Sequence, residues 1–386
     1  MPLRREAQPV YRPSIDRIAS RIGDPVQRLR FLQSAPPLLS VPAPLRWIRS
    51  ARRSLAFNPM ARFFLLTAAG VAALASVVLM VTSTHAEALP APRQPIRPAT
   101  VAEAPPPNVW VVENSGAEET YSNGLRIDNR YLVTHYPRSY LAFPADHRGP
   151  PVRRHDPAGI VFHTTDSHQV PFEAGQNDAL RRVGESLLEY VQRKFAYHFV
   201  IDRFGRVYRV VAEGDAADHA GPSLWADSRW LYVNLNRSFL GVSFEARTER
   251  GQSESEASPA QVRAAAMLTE MLRSRYGIPA ANCVTHAQVS VNPANMQVGY
   301  HTDWASGFPF EQVGLPNNYA QALPALWAFG FLASADFRAA TGERMAEGVD
   351  RAEETVRAGA QAERSSVPAY RKRLQEGYRQ RLAELN

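Results

Sequence analysis

AGIVFHTTDSH, residues 158–168, decides how this chain is read. Ile160-Val161-Phe162 is a short apolar run bounded by Gly159, the pattern of a buried strand. It delivers His163 to the strand's C-terminal edge, followed at once by the polar residues of a loop. A second stretch repeats the arrangement. In NCVTHAQVS, residues 282–290, the run Cys283-Val284-Thr285 delivers His286, and VGYHTDW, residues 298–304, presents His301 and Asp303 on a loop. Two imidazoles at strand ends and one carboxylate nearby suit Zn²⁺, because a catalytic zinc takes three protein ligands and leaves a fourth position for water. No HExxH motif is present, so such a site is assembled from distant segments.

Between these ends the chain alternates strand and helix patterns. Leu180, Val183, Leu187 and Val191 recur at helical spacing over 176–194. YHFVID and RVYRVVA flank Phe204-Gly205 as a hairpin. LGVSFEA is a buried strand. Ser258-Pro259-Ala260-Gln261 is a capping box with proline at the first helical position, and it opens a helix with Val262, Ala265, Leu268, Leu272 and Tyr276 inward that Gly277 stops. The expected architecture is α/β, a mixed central β-sheet flanked by helices.

Five landmarks stand in order: VFHTT at 161–165, YHFVIDRFGRVY at 197–208, DHAG at 218–221, LGVSFEA at 240–246, and THAQVS with HTD at 285–290 and 301–303. Together they resemble the zinc-dependent N-acetylmuramoyl-L-alanine amidase family, the amidases of type 2 that include the peptidoglycan recognition proteins. The resemblance covers roughly residues 155–312. It implies that fold, one catalytic Zn²⁺ on His163, His286 and Asp303, and hydrolysis of the amide between N-acetylmuramic acid and L-alanine in peptidoglycan or its muropeptides. Tyr197 matches a tyrosine beside the metal, whose hydroxyl donates to the oxyanion. His301 stands where many relatives have lysine, as the group that stabilises the oxyanion or protonates the amine. Some relatives carry a general-base glutamate where a gapless alignment on Gly241 puts Ser243. Glu245, two residues on and on the same strand face, is the candidate here. His219 in DHAG matches a histidine near the substrate groove. Because some relatives bind peptidoglycan without cutting it, a non-catalytic binding module tethered to the membrane is the alternative. His85, His155 and His168 read as solvent histidines.

Charge and composition bound the rest. Twelve Arg against Glu6, Asp16 and Asp24 make residues 1–62 +9, so the remainder carries −2 of the +7 total. The basic excess lies outside the site-bearing region, which argues against nucleic acid as its partner. Residues 1–59 read as an Arg-rich, mostly disordered cytoplasmic segment. Residues 60–86 read as a transmembrane anchor or a signal peptide. The twenty residues 63–82 are uncharged and mostly apolar, long enough to cross a hydrocarbon core of about 30 Å. Arginines on the N-terminal side place that side in the cytoplasm. Translation from Met1 predicts a bacterial inner-membrane protein with its catalytic domain in the periplasm; translation from Met60, a soluble periplasmic one. Residues 87–150 read as a Pro-rich linker with a small β-hairpin in 108–145, and 151–316 as the zinc amidase domain. Residues 317–386 read as a helical, charged C-terminal tail, a solvated face or a helix for a protein partner. Cys283, the one cysteine, excludes an intramolecular disulfide and reads as a small buried hydrophobe.

Overall fold

A computed structural model describes residues 106–146, 148–247 and 257–385. The expectations for 1–59, for the anchor or signal peptide at 60–86 and for most of the Pro-rich stretch lie outside the described residues. Among the described residues no helix is long and apolar enough to cross a membrane.

The chain runs through β1 (Val111–Asn114), β2 (Glu118–Tyr121), β3 (Arg126–Asp128), β4 (Tyr136–Pro137), β5 (Tyr140–Pro144) and β6 (Val152–Arg154) to β7 (Gly159–Thr164). α1 (Asn177–Lys194), β8 (Phe199–Ile201), β9 (Val207–Arg209), β10 (Asp215–Ala216), β11 (Leu224–Ala226), β12 (Trp230–Val233), α2 (Leu235–Ser238) and β13 (Phe239–Phe244) follow. The chain continues through α3 (Pro259–Tyr276), β14 (Cys283–Thr285), α4 (His286–Val289), β15 (Val291–Asn292) and β16 (Gln297–Val298). It closes with α5 (Pro324–Trp327), α6 (Ala335–Thr341), α7 (Ala346–Ala362) and α8 (Val367–Glu384).

The central sheet is mixed, in the order β1-β2-β3-β9-β8-β13-β7-β14, with β8, β13, β7 and β14 mutually parallel at its heart. Strands buried on both faces need apolar residues at every position, which is why GIVFHT and FLGVSF read as continuous runs. Ile160, Phe162, Phe199, Ile201, Leu240, Val242 and Phe244 pack on the side of α3. Val161 and Val284 face the other way, toward a second sheet ordered β11-β12-β5-β6. α1 covers the remainder of that face with Leu188 and Val191 on Val200 and Tyr208.

The helix signals hold. Ser258 Oγ accepts from Gln261 N–H at 3.2 Å while Gln261 Oε1 accepts from Ser258 N–H at 2.9 Å, and Gly277 ends α3 at φ +63°. α1 ends without glycine, on Phe195 at φ +51°.

One expectation is extended and one is corrected. The hairpin expected in 108–145 is present, β2 and β3 pairing antiparallel across the Ser122-Asn123-Gly124 turn, but it is part of a larger sheet. β1, β2 and β3 extend the central sheet, β3 pairing parallel with β9, and β5 belongs to the second sheet. Asn123, in the Ser122-Asn123-Gly124 turn, ties them to α3 by donating to Met267 O and Glu270 Oε2 at 3.0 and 2.9 Å. The helices after 317 do not form a solvated tail. Val349, Ala352 and Tyr378 are buried in the same core as Phe329 and Phe331. Buried Arg371 donates to Phe331 O and Glu353. Few apolar positions suffice because alanine and glycine allow close approach: a Cβ on Gly348 would lie 2.4 Å from Gln321 O, and one on Gly330 2.6 Å from Arg371 O.

Candidate metal centre

His163 follows Phe162, so its side chain projects from the opposite face of β7, the face of Val161. Ser243 lies beside it on β13 in parallel register. β14 runs along the other side of β7 and ends at Thr285, so the first residue of α4, His286, emerges next to His163; their ring centroids are 4.4 Å apart. Asp303 reaches both imidazoles. Its Oδ2 lies 3.1 Å from His163 Nδ1 and its Oδ1 2.8 Å from His286 Nδ1. One donor atom from each of the three residues fits within a 4.8 Å span, and all three side chains are nearly buried.

Tautomers follow from the partners behind the rings. His219 Nε2 lies 3.3 Å from Phe239 O, a pure acceptor, so this nitrogen carries the hydrogen and Nδ1 its lone pair. His163 Nε2, 3.0 Å from His219 Nδ1, therefore donates to it. His286 Nε2 donates in the same way to Ala220 O at 3.3 Å. Both Nδ1 atoms are left to face Asp303. Burial and the charge on His286 push His163 down to about 4, so a second buried imidazolium is disfavoured. Burial alone would raise the Asp303 pKa, but His286 and the two imidazole contacts hold it well below the usual carboxylate range. An imidazole nitrogen from each histidine and the Asp303 carboxylate are aimed at one point. The donor set fits a divalent ion with a preference for nitrogen and oxygen, with outer partners already orienting the ligands.

Tyr197 closes the site, its ring 5.1 Å from His163; burial and the charge of Asp303 push its hydroxyl pKa up, so it stays protonated. His301 stacks on His286 with centroids 4.7 Å apart and planes at 19°. Lost hydration and the charge of His286 lower its pKa to about 4. This favours the neutral imidazole of His301, although the residue lies at an exposed position. His219 is buried behind His163, its Nδ1 3.0 Å from His163 Nε2. Gly241 makes this placement feasible, since a Cβ there would lie 2.6 Å from His219 Cγ.

Glu245 is on the expected face but turned toward α1. Its Oε2 accepts from Arg203 N–H at 3.2 Å and lies 3.7 Å from where a Cβ on Gly184 would be. No hydrogen bond among the described residues joins it to the three donors. Burial raises its pKa to about 7.

Sequence reading missed Arg138, which has no motif around it. It is 2% exposed and donates to the carbonyls of Glu213, Arg237, Phe239 and Asp215 at 2.8–3.2 Å. It shares the Phe239 oxygen with His219, and burial lowers its pKa to about 10.

Comparison with known proteins agrees with the landmarks. Residues 153–303 match the family described as N-acetylmuramoyl-L-alanine amidase. Similar solved structures include the N-acetylmuramoyl-L-alanine amidase LysC from Clostridium intestinale URNW, at 21% identity over 47% of this chain and 93% of that one, TM-score 0.26. The amidase AmiD from E. coli, in complex with anhydro-N-acetylmuramic acid-L-Ala-D-gamma-Glu-L-Lys, is 21% identical over 53% of this chain and 64% of its own, TM-score 0.31. Drosophila peptidoglycan recognition protein SD is 17% identical over 41% and 84%, TM-score 0.26. No curated protein matches. His163 stands near the start of the matched segment and Asp303 is its last residue, so the candidate donors lie within the residues, 153–303, that match the N-acetylmuramoyl-L-alanine amidase family model.

Proposed function

We propose that this protein is a zinc-dependent amidase that hydrolyses the bond between the lactyl group of N-acetylmuramic acid and L-alanine in peptidoglycan or muropeptides. The observation that carries the reading is the convergence of His163 Nδ1, His286 Nδ1 and the Asp303 carboxylate, each imidazole fixed from behind. Those three residues would hold the ion. When bound, zinc supplies Lewis acidity and lowers the pKa of a coordinated water toward ~7.

The chain's own groups do the rest. Tyr197, kept protonated, donates a hydrogen bond where the carbonyl oxygen gains charge. His301, on the rim of the site, has a ring N–H that can hydrogen-bond the oxyanion. Glu245 is the other carboxylate on this strand face. Its raised pKa suits a proton acceptor near pH 7, acting through an intervening water rather than by direct contact. We further propose that residues 63–82 cross the inner membrane or direct export, which places the domain in the periplasm with its substrate.

The alternative, a peptidoglycan-binding module without turnover, draws on Ser243 at the position of the catalytic glutamate of some relatives. Digestion of purified sacculi by the purified full chain separates the two. The amidase reading expects about one zinc per chain, new L-alanine amino termini, and loss of both on chelation. Full turnover by zinc-free protein would end the zinc reading, and zinc-loaded protein that binds sacculi without releasing amino termini would establish the binding module.

A further inference from the structure

We propose that Asn318 and Tyr319 are positioning residues: a two-residue buckle that sets the spacing between the segment bearing His286 and the segment bearing Asp303. The proposal rests on the zinc reading of that site. Neither residue lies in the matched segment, which ends at Asp303.

Together the two side chains reach both donor-bearing segments. Asn318 holds the His286 side. Its Nδ2 donates to Ala280 O and Cys283 O at 2.7 and 2.8 Å, and its backbone carbonyl accepts from Gln288 Nε2 at 2.8 Å. Gln288 in turn accepts from Thr285 N–H at 2.9 Å, capping the helix whose first residue is His286. Tyr319 holds the Asp303 side. Its hydroxyl donates to Trp304 O at 2.8 Å and accepts from Phe308 N–H at 3.1 Å. Trp304 directly follows Asp303, is 1% exposed and sits at φ +54°, a strained conformation for a bulky residue that its surroundings must impose. The two segments also meet directly, Ala287 N–H donating to Asp303 O at 3.2 Å.

The buckle is rigid. Asn318 and Tyr319 are 2% and 0% exposed. They lie in a 3₁₀ turn, Asn318–Ala320, capped by Asn317 Oδ1 accepting from Tyr319 N–H at 3.2 Å. α7 backs the turn: Leu323 N–H donates to Gly348 O at 3.3 Å, and a Cβ on Gly348 would lie 2.6 Å from Tyr319 O. Ligands of a zinc site tolerate displacements of only a few tenths of an ångström, so whatever fixes Trp304 and Gln288 fixes the affinity.

The test uses the full chain and reads zinc affinity by competition with a chelator, together with the visible spectrum of the cobalt-substituted protein. Tyr319→Phe keeps the ring and removes the hydroxyl. It should weaken zinc about 10–100-fold, the usual effect of losing an outer-shell partner, and change the cobalt spectrum. Tyr378→Phe is the control: Tyr378 is buried among the C-terminal helices against Phe329 and Phe331, and this variant should bind zinc as the wild type does. Wild-type affinity and spectrum in Tyr319→Phe, or an equal loss in the control, overturns the proposal. If Tyr319→Phe does not fold, Gln288→Met carries the same test: weakening supports the buckle and wild-type affinity refutes it. Affinity, not turnover, is measured, so a wild type that binds zinc without hydrolysis sinks the amidase reading alone. A wild type that binds no zinc sinks both.

Discussion

Glu245→Gln should stabilise the protein at pH 8 and do little near pH 4.5. The wild-type carboxyl is 5% exposed, and burial raises its pKa from 4.5 to about 7. Burial disfavours the charged form, so the folded chain holds this proton at pH values where the unfolded chain has lost it. Stability contributed by the protonated group is therefore fully present below about pH 4.5 and is lost as pH rises through about 7. A shift of that size corresponds to roughly 3 kcal/mol between the two ends of the window. Glutamine cannot ionise, and its amide oxygen can still accept from Arg203 N–H. Urea unfolding of wild type and variant, at pH 4.5 and pH 8 with chelator present, measures the difference. The expected gain of Glu245→Gln is about 2–3 kcal/mol at pH 8, with unchanged m-value, and near zero at pH 4.5. An equal difference at both pH values would refute a buried carboxyl with a raised pKa, and with it the assignment of Glu245 as a base near neutrality. Turnover of the same variant then asks the catalytic question: a base predicts a loss of about 10²-fold or more.

Other outcomes follow from the same geometry. His219→Ala should weaken zinc about 10–100-fold without removing a ligand, as read by chelator competition, because His163 loses the acceptor that fixes its tautomer. His301→Ala should retain zinc, and steady-state digestion of sacculi should show roughly 10²-fold slower turnover if its N–H meets the oxyanion. Gly299→Ala should cost about 2–5 kcal/mol in chemical denaturation, since φ is +79° and the new Cβ would lie 2.2 Å from Phe337; adding Phe337→Ala should relieve part of that cost. A reporter fused after residue 90 should be exported and one fused at residue 55 retained; export of the second would reverse the proposed topology.

What the sequence determined by itself was local in nature. β7, β13 and β14 are buried on both faces and so appear as unbroken apolar runs, and each of the two histidines marks the end of such a run. α3 carries its start and stop in Ser258, Gln261 and Gly277. Those elements, with the ordered landmarks, point to the α/β class, the family resemblance and the candidate donor triad. What the tertiary structure decided depends on partners far away along the chain. The parallel pairing of β3 with β9 has no local signature, so the N-terminal strands could not be assigned to the central sheet from their own pattern. α7 and α8 look solvated because their charged residues outnumber their large apolar ones, yet Gly330 and Gly348 let a thin apolar face reach the core. The same holds at the site. The residue types of His219, Glu245 and His301 were legible, but their roles depend on which neighbours each ring or carboxylate meets and on how much water is excluded. Only the folded chain specifies His163 Nε2 against His219, Glu245 against Arg203 N–H, and Tyr319 against the carbonyl that follows Asp303. The hydrogen bonds that decide these roles join residues 15 to 66 apart in sequence, beyond the reach of a local helix or turn pattern.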